Sequence, residues 1–365
     1  MFEAAEMLYL YVETPLHAGS GGSVGVVDLP IQRERVTNYP IVQASGLKGK
    51  LRSEGYERKE FIDKKDMYKA QELEQLTKNP DWNSKSDSER EKEAEKRARK
   101  KAAKELGLEV VFGPEGDEAH EHAGALSPGD ARLLLFPVRS LAGVFAWTTS
   151  RNVLERLRRD LAAARKSIKV KMKKNGQEQE VEWNPDAAIG ADKTAWVGTV
   201  DDDIVVDKKN VVLEEFCFTV KPHEQVAQIA KWLADHAFPD GAEYEYFRNK
   251  VQRSLVILPE DDFRDFTQFA IEVVTRIRID QEKKTVAGGA LWSEEHLPSD
   301  SVLYAPLHAS RPRTDKGPNG LKTAGDVLKF VRDLKLDRIQ LGGDETVGRG
   351  IVKLRIGGSE VCRKS

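Results

Sequence analysis

The sequence predicts an α+β fold, an antiparallel sheet with helices on one face that follows a βαββαβ plan and carries helical and β-hairpin insertions. Strand and helix patterns follow one another along the 365 residues without the strict alternation of a doubly wound parallel sheet. No predicted strand leads into a complete dinucleotide fingerprint, and the sequence has no Gly-Lys-Ser/Thr phosphate-binding loop. The order of the elements therefore favours the βαββαβ plan over a nucleotide-binding α/β fold.

The composition describes a charged chain with enough apolar residues for a large core. Hydrophobic residues make up 39%, charged residues make up 32%, and the net charge is −2. This balance argues against a protein that coats nucleic acid with its whole surface, but it allows a basic groove. No apolar run approaches the roughly 18 residues of a membrane span, and the N-terminus has no basic n-region. Cys217 and Cys362 fit no zinc spacing, so we expect a soluble protein of the reducing cytoplasm.

The first strand, at residues 7–12, leads into a glycine-rich loop at residues 16–30. This loop holds four glycines together with His17 and Asp28. Glycine is kept where the backbone takes unusual angles or approaches another molecule closely. The basic side chains that follow are Arg33, Arg35, Lys48, Lys50 and Arg52. The pattern indicates a loop that meets a phosphate backbone with a carboxylate within reach.

A helix is predicted at residues 45–56, with Ser45 as its N-cap. Ser45, Lys48 and Arg52 stand at i, i+3 and i+7 and share one face near the helix start. Free N–H groups and the helix dipole attract phosphate there. The face is a candidate for phosphate contact, and plain exposure to solvent is the alternative.

Two segments look like insertions. Residues 57–106 contain 15 Lys or Arg and 13 Asp or Glu, and residues 88–106 predict a helix with i,i+4 ion pairs. Few apolar residues could dock this segment, so we expect a peripheral, partly mobile insertion, with a partner-binding arm as the alternative. The second insertion is a β-hairpin around Asn175-Gly176, a favoured two-residue turn. The pairs that this turn predicts are Lys169 with Glu182, Lys171 with Glu180 and Lys173 with Glu178. The lysine row is then a salt-bridge ladder or a track for RNA.

The rest of the chain predicts further elements and two loops of interest. Strands are predicted at 133–138, 211–220, 254–258, 275–279, 302–307 and 351–356, and helices at 150–164, 222–237, 260–269 and 323–334. His120 and His122 flank Glu121, but the surrounding glycines and proline indicate a loop, and no third metal ligand is evident. A basic loop carries Arg311, Arg313, Lys316 and Lys322.

Three motifs identify a family. Residues 44–52 read Ala-Ser-Gly-Leu-Lys-Gly-Lys-Leu-Arg, residues 289–298 contain Trp-Ser-Glu-Glu-His-Leu-Pro, and residues 342–350 read Gly-Gly-Asp-Glu-Thr-Val-Gly-Arg-Gly. With the strand at 275–279 and the first glycine loop, they resemble the RAMP superfamily of CRISPR proteins. Within it, the chain is similar to the repeated backbone subunit of the type III-B, Cmr-type effector complex. The resemblance covers nearly the whole chain except the two insertions.

The resemblance implies a ferredoxin-like, RRM-like fold and a function in RNA-guided defence. It implies one RAMP domain (1–365) with a charged helical insertion (57–107), a β-hairpin insertion (165–185) and a thumb-like insertion (270–305). It implies a subunit that assembles into a helical filament along guide crRNA, together with other Cmr subunits and without a membrane. It also implies cleavage of complementary single-stranded target RNA with a divalent metal, Mg²⁺ or Mn²⁺.

The resemblance also implies catalytic residues. Asp28 stands where the family has its catalytic aspartate, so it is a candidate general base or metal ligand. The residues alone favour the alternative, an Asx turn before Leu29-Pro30. His17 is a candidate acid or base, or it simply bonds to the loop backbone. Glu294, Glu295 and His296 fall on a second functional segment, where the family often has tyrosine at position 296. Exposed charges on a turn are the alternative for this trio.

The RNA-binding candidates come from the predicted helix and from the C-terminal loop. They are Ser45, Lys48, Arg52, Gly342, Gly343, Gly348, Arg349 and Gly350. A plain tight hairpin is the alternative for the loop. Two other functions stay open: a non-catalytic scaffold that binds guide RNA, and a guide-processing endoribonuclease whose histidine or tyrosine centre needs no metal.

Overall fold

The computed structural model describes residues 2–22, 25–82, 84–174, 177–190, 193–280, 282–284, 286–314, 317–318 and 320–357. The chain divides into two compact units. The first comprises Met1–Ala5, Leu47–Pro128 and Leu307–Leu336, and the second comprises Glu6–Gly46, Gly129–Pro306 and Asp337–Ser365. The single domain with three insertions stays a prediction. The Asn175-Gly176 turn, Lys316 and Cys362 lie outside the described residues.

Helices and strands alternate irregularly along the chain. The α-helices are α1 (Ala44–Tyr56), α2 (Lys59–Lys78), α3 (Asp87–Glu105), α4 (Leu108–Phe112), α5 (Arg151–Ala163), α6 (Glu224–His236), α7 (Glu245–Val251), α8 (Glu260–Phe269) and α9 (Ala324–Asp333). The strands are β1 (Ala4–Val12), β2 (Ile41–Val42), β3 (Leu126–Pro128), β4 (Ala131–Arg139), β5 (Phe145–Ser150), β6 (Lys169–Lys174), β7 (Gln177–Glu182), β8 (Ala195–Val197), β9 (Asn210–Leu213), β10 (Phe216–Pro222), β11 (Leu255–Leu258), β12 (Glu272–Ile279), β13 (Val286–His296), β14 (Val302–Ala309), β15 (Arg338–Gln340) and β16 (Ile351–Gly357). Short 3₁₀ turns lie at Pro80–Trp82, Gly116–Glu118, Ala242–Tyr244 and Glu345–Val347.

The second unit is built on a mixed sheet. Its strands lie in the order β15-β16-β1-β14-β4-β5-β11-β8-β10-β9, and β2 pairs with β4. The α+β class is confirmed, but the predicted antiparallel sheet is wrong at two places, because β5 runs parallel to β11 and β8 runs parallel to β10. Parallel neighbours need a long connection, usually with a helix. The segment between β5 and β11 meets that need, since it includes α5 and α6.

The predicted strand at 211–220 is also wrong, because the chain turns back within it. Leu213 pairs with Phe216, so Glu214 and Glu215 form a two-residue turn between β9 and β10. Glu214 has a φ of 48°, in the left-handed region that such turns require. Its N–H donates to the carbonyl of Arg139 at 2.9 Å, so a tertiary contact supports this backbone.

The charged segment of the first unit forms two packed helices, α2 and α3. Alanine side chains at helical spacing are buried along α3; they are Ala94, Ala98, Ala102 and Ala103. Ion pairs join the two helices, with Lys65 and Lys69 both contacting Glu95 at 2.7 and 2.8 Å. Small buried residues let helices approach closely, so an alanine face supplies the docking surface that large apolar residues would otherwise provide.

The Lys/Glu hairpin has the predicted register. Lys169 lies opposite Glu182, and Lys171 lies opposite Glu180. The ion pairs run diagonally, from Lys169 to Glu180 at 3.4 Å and from Lys171 to Glu178 at 3.8 Å. These four side chains are well exposed, so the ladder contributes little stability, but it pairs these two lysines with acids. Within the described residues, no helix is both long and apolar enough to span a membrane.

Candidate active site

Strand β13 holds the glycine-rich loop of the second unit. The N–H of Leu29 donates to the carbonyl of Ser293, and the N–H of Glu295 donates to the carbonyl of Leu29, each at 3.0 Å. The Glu295 carboxylate accepts from the N–H of Ile31 at 3.0 Å and from the Arg33 guanidinium at 2.8 Å. Glu295 is therefore a buried anchor for the loop.

Asp28 is the exposed acid of the site. Its Oδ2 accepts hydrogen bonds from the N–H and the Oγ–H of Ser293, both at 2.8 Å, and its own N–H donates to Ser293 Oγ at 3.0 Å. The backbone and then the side chain of Ser293 lower the pKa of Asp28 by bonding to its charged form. The bonds run to a strand 265 residues further along the chain, so Asp28 is fixed by a tertiary contact.

Glu294 and His296 belong to a different, buried cluster. Side chains alternate along a strand, so they point away from the side of β13 that carries Ser293 and Glu295. Glu294 Oε1 accepts from the indole N–H of Trp292 at 2.6 Å, and Glu294 Oε2 lies 2.6 Å from Nε of Arg276 on β12. His296 is fully buried, and its Nε2 lies 3.8 Å from Glu294 Oε2. These side chains are core charges, and the prediction of exposed turn charges is wrong for them.

The cluster includes Asp344, which the sequence-based candidates omit. Asp344 Oδ2 lies 2.7 Å from Nη2 of Arg276 and 3.4 Å from Nε2 of His296. Partial burial by itself would raise the pKa of Asp344, but its polar contacts, among them the charge of Arg276 and the hydrogen bond to His296, outweigh burial and lower that pKa. Burial lowers the pKa of His296, against the opposing effect of Asp344. The sequence feature that points to Asp344 is an aspartate within a glycine-rich loop, because Asp tolerates the left-handed φ of 64° that Asp344 adopts.

His17 lies where the two glycine loops meet. Its Nδ1 is 2.7 Å from the carbonyl of Glu295, and its ring centroid is 5.5 Å from that of His296. Its carbonyl accepts from the N–H of Gly343 at 2.9 Å. A Cβ on Gly342 would approach that same carbonyl to less than 3.0 Å, so the close contact requires glycine. His17 therefore bonds to a backbone carbonyl, which was one of the two alternatives from the sequence, and its ring lies beside the buried cluster.

The C-terminal glycine loop is more than a tight hairpin, because the 3₁₀ turn Glu345–Val347 lies within it. Gly350 has a φ of 72°, and a Cβ there would clash with the carbonyl of Leu341. Gly348 has a φ of 76° but faces open space. Arg349 lies 3.3 Å from Glu272 at the start of β12. Gly350 thus serves internal packing, and the exposed Gly348 is free to approach another molecule.

The start of helix α1 differs from the prediction. The helix begins at Ala44, two residues earlier than a Ser45 N-cap would allow. The carboxylate of Asp130 accepts from the N–H of Ala44 at 2.8 Å, so a distant side chain satisfies one of the free donors that a cap would serve. Ser45 is exposed in the first turn.

The first unit gathers basic side chains around Lys48. Burial lowers the pKa of Lys48, and the nearby charges of Arg52 and Arg313 lower it further. Arg52 donates to the carbonyls of Phe112 and Gly113 and lies 3.6 Å from Glu115. Lys48 is thus a half-buried ammonium group beside two other cations, whereas Arg52 also binds the protein itself.

The candidate metal ligands lie in three different places: a buried cluster, a loop and the exposed carboxylate of Asp28. Within the described residues, the group whose ligand atoms all lie within 4.8 Å of one another is Glu294, His296 and Asp344. His120 and His122 lie in a turn after the 3₁₀ helix Gly116–Glu118, in agreement with the predicted loop. Asp28 belongs to neither set and presents its carboxylate at the surface.

Comparison with known proteins gives consistent matches. The model of the RAMP superfamily matches residues 9–353. The CRISPR system Cmr endoribonuclease Cmr4 of Pyrococcus furiosus is 35% identical over 353 residues, 96% of this chain and 95% of that protein. The crystal structure of oligomeric Cmr4 from Pyrococcus furiosus aligns with a TM-score of 0.57 at 26% identity and covers 97% of each chain. A chain of the Type III-B Cmr-beta bound to cognate target RNA aligns with a TM-score of 0.61 at 22% identity, over 97% of this chain and 98% of that one, a likeness of fold.

Proposed function

This chain belongs to the RAMP superfamily, and from that membership we propose that it is the repeated backbone subunit of a type III-B Cmr effector complex. In this proposal it binds guide crRNA and cleaves the complementary single-stranded target RNA. Its 35% identity to a relative named as an endoribonuclease supports the activity. The ferredoxin-like, RRM-like βαββαβ core, the helical filament, the other Cmr subunits and the cytoplasmic location are parts of the same proposal.

The observation that best supports cleavage activity is the exposure and hydrogen bonding of the Asp28 carboxylate. It is an exposed carboxylate, held by three hydrogen bonds to Ser293 and with a lowered pKa. Glu294 and His296 are buried by comparison. An ionised, oriented and accessible carboxylate is what proton abstraction from a ribose hydroxyl needs. We therefore assign Asp28 to the RNA, and Glu294 and His296 to the support of the site.

The mechanism follows from this placement. The Asp28 carboxylate takes the proton of a ribose 2′-hydroxyl, and the 2′-oxygen forms a bond to the adjacent phosphorus as the P–O5′ bond breaks. The products are a 2′,3′-cyclic phosphate and a 5′-hydroxyl. His17, half-buried in the same glycine-rich loop, is the candidate to return a proton to the leaving oxygen. Because RNA supplies its own nucleophile, the protein needs few catalytic groups.

The donors of the structure fit a divalent metal at Asp28 better than at the buried cluster. Arg276 already contacts Glu294 and Asp344 at 2.6 and 2.7 Å and holds the position of a cation there. Both hydrogen bonds that Ser293 donates fall on one oxygen of Asp28, and a carboxylate has about four acceptor positions. Mg²⁺ commonly takes one or two carboxylates together with substrate phosphates and water. When bound there, Mg²⁺ or Mn²⁺ would neutralise charge that develops on the phosphate.

Guide binding is proposed for the basic residues of helix α1 and for the C-terminal loop. Lys48 is the strongest candidate, since Arg52 and Arg313 lie near it and like charges held together attract a polyanion. The exposed candidates for contact at the level of the backbone are Ser45, Gly342, Gly343 and Gly348. The weaker candidates are those whose described contacts lie within the protein, namely Arg52, Arg349 and Gly350.

The test is cleavage of a guide-complementary RNA by the reconstituted complex. Asp28→Asn should keep guide binding and abolish cleavage, and a chelator should stop the wild-type complex. Asp207→Asn makes the same chemical change at an exposed left-handed position and should behave as wild type. Undiminished cleavage by Asp28→Asn would remove the proposed catalytic site. Cleavage that survives the chelator would instead favour a metal-independent, histidine-centred nuclease.

A further inference from the structure

We propose that Ser293 is a positioning residue for the nuclease centre, one that aims the Asp28 carboxylate. The inference rests on the proposed function of Asp28. It starts from the geometry of the pair, in which each residue bonds to the other. Ser293 gives two donors to Asp28 Oδ2 at 2.8 Å, and Asp28 gives its N–H to Ser293 Oγ at 3.0 Å.

This reciprocal arrangement restrains the rotation of Asp28. Two donors that converge on Oδ2 leave the other oxygen, Oδ1, turned away from Ser293. The neighbouring backbone is restrained as well, because Leu29 bonds to the carbonyl of Ser293 and Glu295 bonds to the carbonyl of Leu29. Asp28 follows four glycines and would otherwise sit on a loop with large conformational freedom. Ser293 thus ties a flexible loop to a strand at the residue that carries the chemistry.

The Ser293 hydroxyl contributes two of the three hydrogen bonds of the pair. Its loss would leave the Asp28 carboxylate with one donor, the backbone N–H of Ser293, and would leave the Asp28 N–H without its acceptor. The carboxylate would then be free to turn away from the orientation that the two donors hold.

Strand β13 offers matched variants. Ser293→Ala removes the hydroxyl, and Ser293→Thr retains it. Thr275 lies directly opposite Ser293 on β12 and is exposed, so Thr275→Ala removes a hydroxyl from the same face of the same hairpin. The reconstituted complex is assayed for single-turnover cleavage, for binding of guide and target RNA, and for thermal unfolding.

We expect Ser293→Ala to cleave roughly tenfold to a hundredfold more slowly at neutral pH, as misplaced catalytic groups do. We also expect its RNA binding and melting temperature to be unchanged. Ser293→Thr should recover most of the rate, and Thr275→Ala should match wild type.

The outcomes separate the inference from the proposed function. If Asp28→Asn is inactive while Ser293→Ala cleaves at the wild-type rate, the positioning role is refuted and the proposed function stands. If Asp28→Asn cleaves normally, both are refuted. A loss of rate in Ser293→Ala that Thr275→Ala reproduces would show a general effect on the hairpin and would overturn the inference.

Discussion

Replacing Arg276 with glutamine removes the positive charge that lies between two carboxylates. Arg276 contacts Glu294 at 2.6 Å through Nε and Asp344 at 2.7 Å through Nη2. His296 lies within 3.8 Å of both acids, and burial lowers its pKa, so it is a poor replacement cation. The variant therefore leaves two like charges facing each other next to a neutral ring.

The size of the effect follows from the burial of the three groups. Removing one partner of a buried ion pair typically costs about 3–5 kcal/mol. The side chains of Arg276 and Asp344 are 22% and 20% exposed, against 6% for Glu294. Water therefore screens part of the network, and we expect a loss of about 2–3 kcal/mol in the free energy of unfolding. That corresponds to a fall of about 5–10 °C in melting temperature, from roughly 2–4 °C per kcal/mol for domains of this size.

The pH dependence gives a second measurement on the same variant. The pKa of Asp344 is lowered in the folded protein, so its stabilisation is present above the unfolded pKa and disappears as pH falls through the folded pKa. The difference between wild type and Arg276→Gln should be full at neutral pH and should narrow below about pH 4.

Thermal unfolding followed by circular dichroism at pH 7 and in the acid range tests both points. Arg278→Gln is the matched control, an exposed arginine two residues further along the same strand, and it should change stability by less than about 0.5 kcal/mol. Asp344→Asn added to Arg276→Gln should recover part of the loss, because it removes one of the two facing charges. If Arg276→Gln and Arg278→Gln have the same melting temperature, or if the loss of stability in Arg276→Gln is the same at every pH, the account of this network is wrong.

Two further predictions concern the glycine loop and the guide. Gly342→Ala should unfold at lower temperature and lose cleavage, because the new Cβ clashes with the His17 carbonyl and the residue has a φ of 75°. Gly348→Ala has a similar φ of 76° but faces open space, so it should lower the free energy of unfolding by only about 1 kcal/mol. Equal melting temperatures for the two variants would contradict the packing argument. Lys48→Gln should weaken guide binding and reduce the slope of log affinity against log salt by about one, as measured by filter binding. Lys78→Gln, at an exposed position, is the control and should leave the slope unchanged. An unchanged slope for Lys48→Gln would mean that Lys48 makes no phosphate contact.

The elements that could be predicted from the sequence are those fixed by short-range rules. Asn175-Gly176 predicts the register of the Lys/Glu hairpin because a two-residue turn determines every pair behind it. The helices near 260–269 and 323–334 carry their own apolar periodicity, and the second begins with a Thr323–Asp326 capping box. The family motifs add a functional prediction that short-range rules do not give, since they indicate Asp28 as the acid of the first loop.

What could not be predicted depends on contacts between distant residues. The Ser45 cap fails because Asp130, 86 residues away, serves the helix start. The strand at 211–220 fails because Glu214 takes a left-handed backbone that its residue type does not suggest. Asp344 and Ser293 join the site only after folding brings β12, β13 and the two glycine loops together. The sequence signal for Asp344 is limited to an acid in a glycine loop, and Ser293 has none within its own segment.

Strand alternation explains why two adjacent acids have different roles. Glu295 points toward the first glycine loop and anchors Ile31 and Arg33, whereas Glu294 points to the other side and pairs with Arg276. Both charges are compensated inside the protein, at distances of 2.8 and 2.6 Å. Asp28 is different, because its partners are neutral donors and its carboxylate is exposed. Under the proposed function, an RNA that approaches Asp28 meets a carboxylate without a cationic partner beside two glutamates that are each ion-paired, which limits repulsion of the RNA while keeping a base at the surface.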